Sequence, residues 1–194
     1  MKNILSDIRH TIVVTAIGVF VLCFIYPVVV WGIGQTLFHY QANGSLITGK
    51  DGTVYGSEII GQAFSDNQYF NSRPSAAGTG YDASNSGATN YGPTSQKLHD
   101  SVAAAVTAYR QQNGLDANAP VPADAVTSSG SGLDPDISVK NAMLQVARVA
   151  KTRKMSEDDV KALVQKYTEG RDFGVFGEPR VNVLKLNLAL DGKI

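Results

Sequence analysis

Hydrophobic positions are unevenly distributed along the chain, and one long apolar run comes first. Residues 12–31 have the sequence IVVTAIGVFVLCFIYPVVVW, and no Asp, Glu, Lys or Arg occurs between Arg9 and Lys50. A helix rises about 1.5 Å per residue, so about 20 apolar residues cross a hydrocarbon core of roughly 30 Å. The pattern predicts a transmembrane helix over residues 11–38. Because Pro27 lacks a backbone N–H donor, a kink is expected near Tyr26.

Two alternative interpretations of this run are a cleaved signal peptide and a buried core helix. A signal peptide usually has a shorter apolar core, of about 7–15 residues, followed by a small-x-small cleavage site. The only such site here is the weak Gly32-Ile33-Gly34. A core helix without one charge over this length is unusual. A retained anchor is therefore the favoured interpretation.

The basic residues around the run predict its orientation. Lys2 and Arg9 precede it, and the next Lys or Arg is Lys50. By the positive-inside rule, residues 1–10 form a short cytoplasmic N-terminus and residues 39–194 form a soluble extracytoplasmic domain. The only cysteine, Cys23, lies within the anchor, so the predicted soluble domain has no disulfide framework.

Shorter patterns beyond the anchor predict strands and helices. Apolar residues on both sides of a turn at residues 49–52 predict a hairpin over residues 45–60. Apolar residues at helical spacing predict three helices: one ended by Gly114, one capped by Ser138, and one capped by Ser156 and ended by Gly170. Leucines alternating over residues 184–190 predict a final strand.

These elements together predict a mixed α+β (α/β) fold. The expected architecture is a single N-terminal transmembrane helix followed by one soluble domain, in which a mixed sheet is flanked by helices. Residues 76–95 contain four Gly and no Val, Ile, Leu, Met or Phe, so they are predicted to form a loop. A loop of about 20 residues is either functional or disordered.

Charge and motifs exclude several functions. The chain has 17 basic and 17 acidic residues, without the basic excess typical of a nucleic-acid surface. His99 is the only histidine beyond the anchor region, and an isolated histidine is more typical of a structural or exposed position than of a ligand. G-x-S-x-G, Walker A and metal-site spacings are absent from the sequence. The segment Gly130-Ser131-Gly132 offers backbone N–H groups to an anion, although a tight structural turn is the commoner use of such a segment.

Six features follow one another along the chain. They are the N-terminal anchor and the motifs at residues 56–62, 69–76, 126–135, 145–150 and 177–184. In this order they closely resemble the C-subunit family (KdpC family) of the Kdp-type potassium-transporting P-type ATPases of bacteria. The resemblance covers nearly the whole chain. One departure is Ala88-Thr89-Asn90, where family members tend to have Gly-Ser-Asn.

The resemblance implies a non-catalytic accessory subunit of a high-affinity, ATP-driven potassium import complex in the bacterial inner membrane. The implied partners are a channel-like, potassium-binding A subunit, an ATP-hydrolysing B subunit and a small F peptide. The C subunit is needed for assembly and stabilisation, and it has been described as a catalytic chaperone that raises the ATP affinity of the B subunit. The implied cofactor is thus ATP shared with the catalytic subunit, with none bound tightly by this chain alone.

The predicted orientation conflicts with direct nucleotide binding, because ATP is cytoplasmic. Assembly and gating on the outer face of the potassium subunit are therefore favoured. The alternative function is a membrane-anchored periplasmic ligand-binding protein or enzyme acting alone, which needs a polar site around Arg73, Ser131 and Asp134.

No catalytic or metal-ligating residue is predicted. Eight polar residues are candidates for contacts with a partner subunit or with nucleotide: Arg73, Ser129, Ser131, Asp134, Gln145, Arg148, Glu178 and Arg180. The alternative is that the charged members of this set form ion pairs inside the domain instead of across an interface, because polar groups gathered in a small domain usually satisfy each other.

Overall fold

The computed structural model describes residues 2–194, which divide into two compact units. The first unit ends at Ser45, and the second runs from Leu46 to Ile194. The first unit is helical, and the second unit contains both helices and strands. The predicted class, an N-terminal apolar helix followed by a mixed helix-and-strand domain, is confirmed.

The first unit consists of helices α1 (Lys2–Phe20), α2 (Tyr26–Leu37) and α3 (His39–Ala42), with one π-helical turn (Val21–Ile25) between α1 and α2. The helix therefore begins earlier than the predicted start at residue 11. The backbone N–H of Tyr26 donates to the carbonyl of Val21, five residues before it. The ring of a proline clashes with a carbonyl in a regular helix. The wider turn lies directly before Pro27, at the position where the sequence predicts an irregularity.

The second unit begins with the predicted hairpin. Strands β1 (Leu46–Thr48) and β2 (Val54–Ser57) pair antiparallel, with a register shift between Ile47 and Thr48. The turn is closed by a hydrogen bond from the backbone N–H of Gly49 to the carbonyl of Thr53, 2.9 Å long. The segment between the strands is rich in Gly and Asp, which provide the backbone freedom that this turn needs.

Helix α4 (Gln96–Asn113) ends as predicted at Gly114, which adopts a left-handed conformation with φ 63°. Glycine is favoured at this position because it carries no Cβ. Between Ser57 and Gln96 the described chain contains no helix or strand. This long segment is nevertheless packed, since Ala77 is fully buried and the Tyr81 hydroxyl donates to the carbonyl of Arg73 over 2.9 Å.

Helices α5 (Val139–Arg153) and α6 (Glu157–Lys166) are capped by the predicted serines. The Ser138 side chain accepts from the backbone N–H of Asn141, and the Ser156 side chain accepts from the N–H of Asp159. These bonds satisfy N–H groups that have no partner within the helix. The prediction that α6 ends at Gly170 is wrong, because the helix ends at Lys166 and a short strand follows it.

The predicted final strand is wrong. Residues Val183–Leu190 form helix α7, and the strand β5 (Arg180–Asn182) directly precedes it. The Asn182 side chain caps α7 by accepting from the backbone N–H of Lys185. Leu184, Leu186 and Leu188 are all buried, so α7 is enclosed by protein on more than one side. Alternation of leucine therefore does not distinguish a strand from a buried helix here.

A second sheet joins three short strands in the order β3 (Asp136–Ser138), β5, β4 (Thr168–Glu169). All of its pairs are antiparallel, with Ile137 opposite Val181 and Thr168 also opposite Val181. The strands thus form two small antiparallel sheets instead of one mixed sheet.

The main hydrophobic core lies where α5, α6, α7 and β5 meet Phe70. Its buried members are Phe70, Ile137, Ala142, Val146, Val149, Ala150, Val160, Val164, Val181, Val183 and Leu186. A smaller cluster of Ile47, Leu184 and Leu188 joins α7 to the hairpin. Helix α7 contributes to both clusters and so connects the β1–β2 hairpin to the rest of the domain.

Candidate functional site

The apolar helix has an extensive exposed hydrophobic surface. The helix has 35 residues, from Asn3 to Leu37; its most apolar 18-residue window has a mean hydropathy of 2.7, and none of that window is buried. Its length and composition suffice to cross a membrane. Contiguous apolar surface of this extent is rare on soluble proteins, so lipid or other apolar helices are the matching environment.

Arg73 and Asp134 form an ion pair inside the domain. The Nη1 atom of Arg73 lies 2.7 Å from Oδ2 of Asp134, and both side chains are mostly covered. The same guanidinium donates to the carbonyls of Thr127 and Ser128, each over 3.4 Å. Arg73 therefore holds the segment 127–134 against the segment of chain that contains Arg73. The structure thus brings two of the predicted candidate residues together, and each is the ion-pair partner of the other.

Ser129 and Ser131 stabilise a turn within that segment. The Ser129 hydroxyl accepts from the N–H of Gly132 at 2.8 Å, and the Ser131 hydroxyl accepts from the N–H of Leu133 at 3.1 Å. The carbonyl of Ser131 accepts from the N–H of Gly87 at 2.9 Å. The N–H groups of Gly132 and Leu133 are thus occupied by the chain itself, which favours the structural-turn interpretation over anion binding.

Gln145 and Arg148 belong to a buried polar network. The Nη2 atom of Arg148 donates to Oε1 of Gln145 over 2.7 Å and to Oδ1 of Asn71 over 2.8 Å. Gln145 in turn accepts from the N–H of Asn71 and donates to its carbonyl. Asn113 accepts from Arg148, and Asn141 accepts from Gln145. We call these five residues, Asn71, Asn113, Asn141, Gln145 and Arg148, the buried polar network.

Sequence reasoning missed the asparagines of this network. They come from three distant parts of the chain, and their meeting depends on how α4 and α5 pack. One signal was present: Gln145 and Arg148 lie on the same side of α5 as the buried Ala142, Val146 and Val149. A polar pair in an apolar stripe indicates a buried polar interaction, because such groups are rarely buried without partners.

Arg180 and Glu178 have separate partners. Arg180 lies 3.3 Å from Asp136 and 3.3 Å from Glu169, on the two strands that flank β5. Glu178 pairs with Arg171 across an exposed loop, with both carboxylate oxygens 2.8 Å from Nη2. The structure therefore shows ion pairs within the domain for Arg73, Asp134, Glu178 and Arg180, whereas Arg148 donates to uncharged oxygens.

A small cavity of about 280 Å³ adjoins the Arg180 pairs, bordered by the charged groups of Glu58, Asp136, Glu169 and Arg180. Lys185 also contacts Glu58, and it lies 3.2 Å from Glu169. Burial raises the pKa of Asp136 to about 6, and the neighbouring carboxylates act in the same direction, while Arg180 opposes them. Asp136 therefore gains a proton more easily than an ordinary aspartate.

No group of three or more His, Cys, Asp or Glu side chains within residues 2–194 is arranged to hold a metal ion. His99 is exposed, with its Nδ1 atom 3.8 Å from Asp100, as expected for an isolated surface histidine. What the arrangement offers is a membrane-length apolar helix joined to a domain whose candidate polar groups are internally paired.

Comparisons with known proteins agree with this architecture. The family model for KdpC, described as "K+-transporting ATPase, c chain", matches residues 8–192. Three curated relatives carry the description "Potassium-transporting ATPase KdpC subunit". The one from Koribacter versatilis is 50% identical over 192 residues, which cover 98% of this chain and 95% of that protein.

The relative from Allorhizobium ampelinum is 54% identical over 188 residues, covering 96% of each chain. The one from Rhodospirillum rubrum is 56% identical over 166 residues, covering 86% of this chain and 85% of that protein. The family match covers residues 8–192, and the relatives from Koribacter and Allorhizobium match nearly the whole of this chain. The chain therefore belongs to the KdpC family, the C chain of the potassium-transporting ATPase.

Proposed function

We propose that this chain is a non-catalytic accessory subunit of a high-affinity, ATP-driven potassium import complex, needed for assembly and stabilisation of that complex. The observation that carries the proposal is the apolar helix from Asn3 to Leu37, of which none of the most apolar window is buried. A single helix of this kind is suited to pack beside the membrane helices of larger subunits.

The state of the candidate polar residues supports an accessory role. Arg73, Asp134, Arg148 and Arg180 have partners within the domain. A site for independent catalysis or ligand binding would need some of these groups to be directed at a bound molecule. The proposed partners are the channel-like A subunit, the ATP-hydrolysing B subunit and the small F peptide.

The proposed orientation has residues 1–10 in the cytoplasm and the domain outside, in the bacterial inner membrane. Lys2 and Arg9 before the apolar helix, and no further basic residue until Lys50, support it. With this orientation the domain acts on the outer face of the potassium subunit. An increase in the ATP affinity of the catalytic subunit would then be transmitted through the membrane helix or residues 2–10, without nucleotide contacting the domain.

Co-purification tests the proposal. A tagged copy is expressed together with the whole operon, and membranes are solubilised in a mild detergent. The larger multi-spanning subunits are expected to be recovered with the tag. A matched control keeps the domain but replaces residues 11–38 with a leucine-rich helix of equal length, which should reach the membrane and recover less of the complex. Recovery of the wild-type chain alone would contradict the proposal.

Orientation has its own test. Protease added to intact spheroplasts should digest the domain while leaving cytoplasmic marker proteins whole. The KM for ATP of the purified complex, measured with and without this chain, tests the effect on nucleotide affinity. An unchanged KM would remove that part of the proposal and leave the assembly role standing.

A further inference from the structure

The loop between β4 and β5 presents three large apolar side chains to solvent. Phe173 is 94% exposed, Val175 69% and Phe176 66%. These are the three most exposed large hydrophobic residues described in the domain, ahead of Ile59 at 62%. Exposing two phenylalanines and a valine side by side is unfavourable in water, so such a cluster marks a surface that is covered in use.

The loop is an ordered structure that holds these side chains outward. Asp172 and Phe176 exchange both backbone hydrogen bonds at 2.9 Å, and the N–H of Gly174 donates to the carbonyl of Arg171. Phe173 itself adopts a left-handed backbone conformation, with φ 53°. This conformation is unfavourable for a bulky residue, and here the closed loop maintains it. The apolar tip is therefore presented on a preformed support.

The base of the loop carries balanced charges. Arg171 pairs with Glu178 at 2.8 Å, and Arg180 lies 3.8 Å from Asp172. Two arginines and two carboxylates give this segment no net charge. It therefore lacks the basic excess that attracts proteins to anionic lipids, whereas ion pairs of this kind are compatible with zwitterionic headgroups.

The exposed cluster is small compared with a specific protein interface. A buried phenylalanine contributes about 150–250 Å², so two phenylalanines and a smaller valine provide only a few hundred Å². A specific protein interface buries about 1,200–2,000 Å² in total. A lipid surface needs much less, because the domain is covalently joined to an apolar helix that keeps it at a high effective concentration near the membrane.

We propose that residues 172–177 form a membrane-contact loop, with Phe173, Val175 and Phe176 inserted at the boundary between headgroups and acyl chains of a zwitterionic bilayer. Arg171 and Glu178 then lie at the level of the headgroups. The loop provides the domain with a second, shallow attachment in addition to its helix. This inference rests on membrane anchoring of the chain and is independent of its partners in potassium transport.

A fluorescence experiment on the full chain tests the loop. Trp31 is the only tryptophan, so W31F removes the background and F176W places one probe in the loop. The protein is reconstituted alone into phosphatidylcholine nanodiscs. Acyl chains brominated near the headgroup are expected to quench the probe severalfold more than they quench a matched control, A108W, on an exposed position of α4. Aqueous acrylamide is expected to show the opposite order.

Three results would overturn the proposal. The first is equal quenching of F176W and A108W by acrylamide, which places the loop in water. The second is loss of lipid quenching unless anionic lipid is added, which would show that binding depends on anionic headgroups. The third is shielding of the probe from acrylamide only when the other subunits are present, which assigns the loop to a protein pocket.

A paired variant checks that any change is local. F173S/F176S should leave thermal unfolding of the domain unchanged, because these side chains are exposed and lie outside both core clusters. In a W31F/V175W background, where Val175 carries the probe, the double change should also reduce lipid quenching. Unchanged quenching in this background would count against insertion by the two phenylalanines.

Discussion

Replacing Arg148 with alanine should strongly destabilise the domain. Its guanidinium donates five hydrogen bonds: to Asn113 Oδ1, Asn71 Oδ1, Gln145 Oε1 and the carbonyls of Asn67 and Tyr69. The side chain is buried, and burial lowers its pKa, although an arginine remains charged under all ordinary conditions. These five oxygens fix residues 67–71 against α4 and α5.

The expected loss is about 3–5 kcal/mol, because alanine leaves several buried acceptor oxygens without a donor and each such group costs about 1–3 kcal/mol. Adding about 1.5–3 kcal/mol for each charged hydrogen bond would overestimate it, because water can reach some of the abandoned oxygens. Against a typical unfolding free energy of about 5–15 kcal/mol, the loss is a large fraction of total stability. Arg148→Lys keeps the charge but not the planar fork, so an intermediate loss is expected.

Urea unfolding of the full chain in a mild detergent measures this loss, followed through the near-ultraviolet circular dichroism of the tyrosines. Lys151→Ala is the matched control, since this side chain is exposed on the same helix, and its effect should stay within about 0.5 kcal/mol. If Arg148→Ala unfolds at the same urea concentration as the control but no longer co-purifies with partner subunits, Arg148 is an interface residue and does not stabilise the domain.

Three further changes address other parts of the domain. Gly132→Ala should cost about 1–3 kcal/mol in the same urea assay, because φ is +69° and an added Cβ would lie 2.7 Å from the backbone N of Ala77; Gly130→Ala, with open space at its Cβ, should be nearly neutral. Ser138→Ala removes the N-cap of α5 and should cost about 1–2 kcal/mol, and retention of wild-type stability would show that the cap is dispensable. Because the pKa of Asp136 is raised to about 6 from 3.8, the folded state holds a proton that the unfolded state releases, so stability should fall as pH rises from about 4 to about 6. Asp136→Asn should flatten this part of the pH profile, and an unchanged slope would assign it to another group.

Local signals in the sequence predicted a large part of the fold. Ser138 and Ser156 mark helix starts because a hydroxyl satisfies N–H groups that no helix can satisfy by itself. Gly114 marks a helix end because its left-handed conformation suits glycine. The hairpin and the apolar helix likewise depend on residues close together in the chain, so local sequence patterns are enough to predict them.

The errors have a common physical origin in tertiary packing. The alternating leucines of α7 predict a strand, but the segment is a helix that is surrounded by core residues and tolerates apolar side chains on several faces. Its buried Asn187 was also not anticipated: the side chain accepts from the N–H of Phe70 and donates to its carbonyl. Residues 117 positions apart in the chain meet there, and no local pattern encodes such a contact.

The candidate polar residues illustrate the same division. Arg73 and Asp134 were identified from their motifs, yet the sequence left open whether they face a partner or each other. Their 2.7 Å ion pair depends on bringing two loops together across 61 positions of the chain. Motifs located these residues, and three-dimensional packing determined their partners.

The π-helical turn Val21–Ile25 affects how the apolar helix presents its sides within a bilayer. A regular helix rotates about 100° per residue, so one additional residue in a turn rotates everything after Ile25 by roughly that angle relative to α1. The faces of the two halves of the helix consequently point in different directions. Deleting one residue from the turn would align the faces of the two halves. It would change which neighbours the helix contacts while preserving its hydropathy.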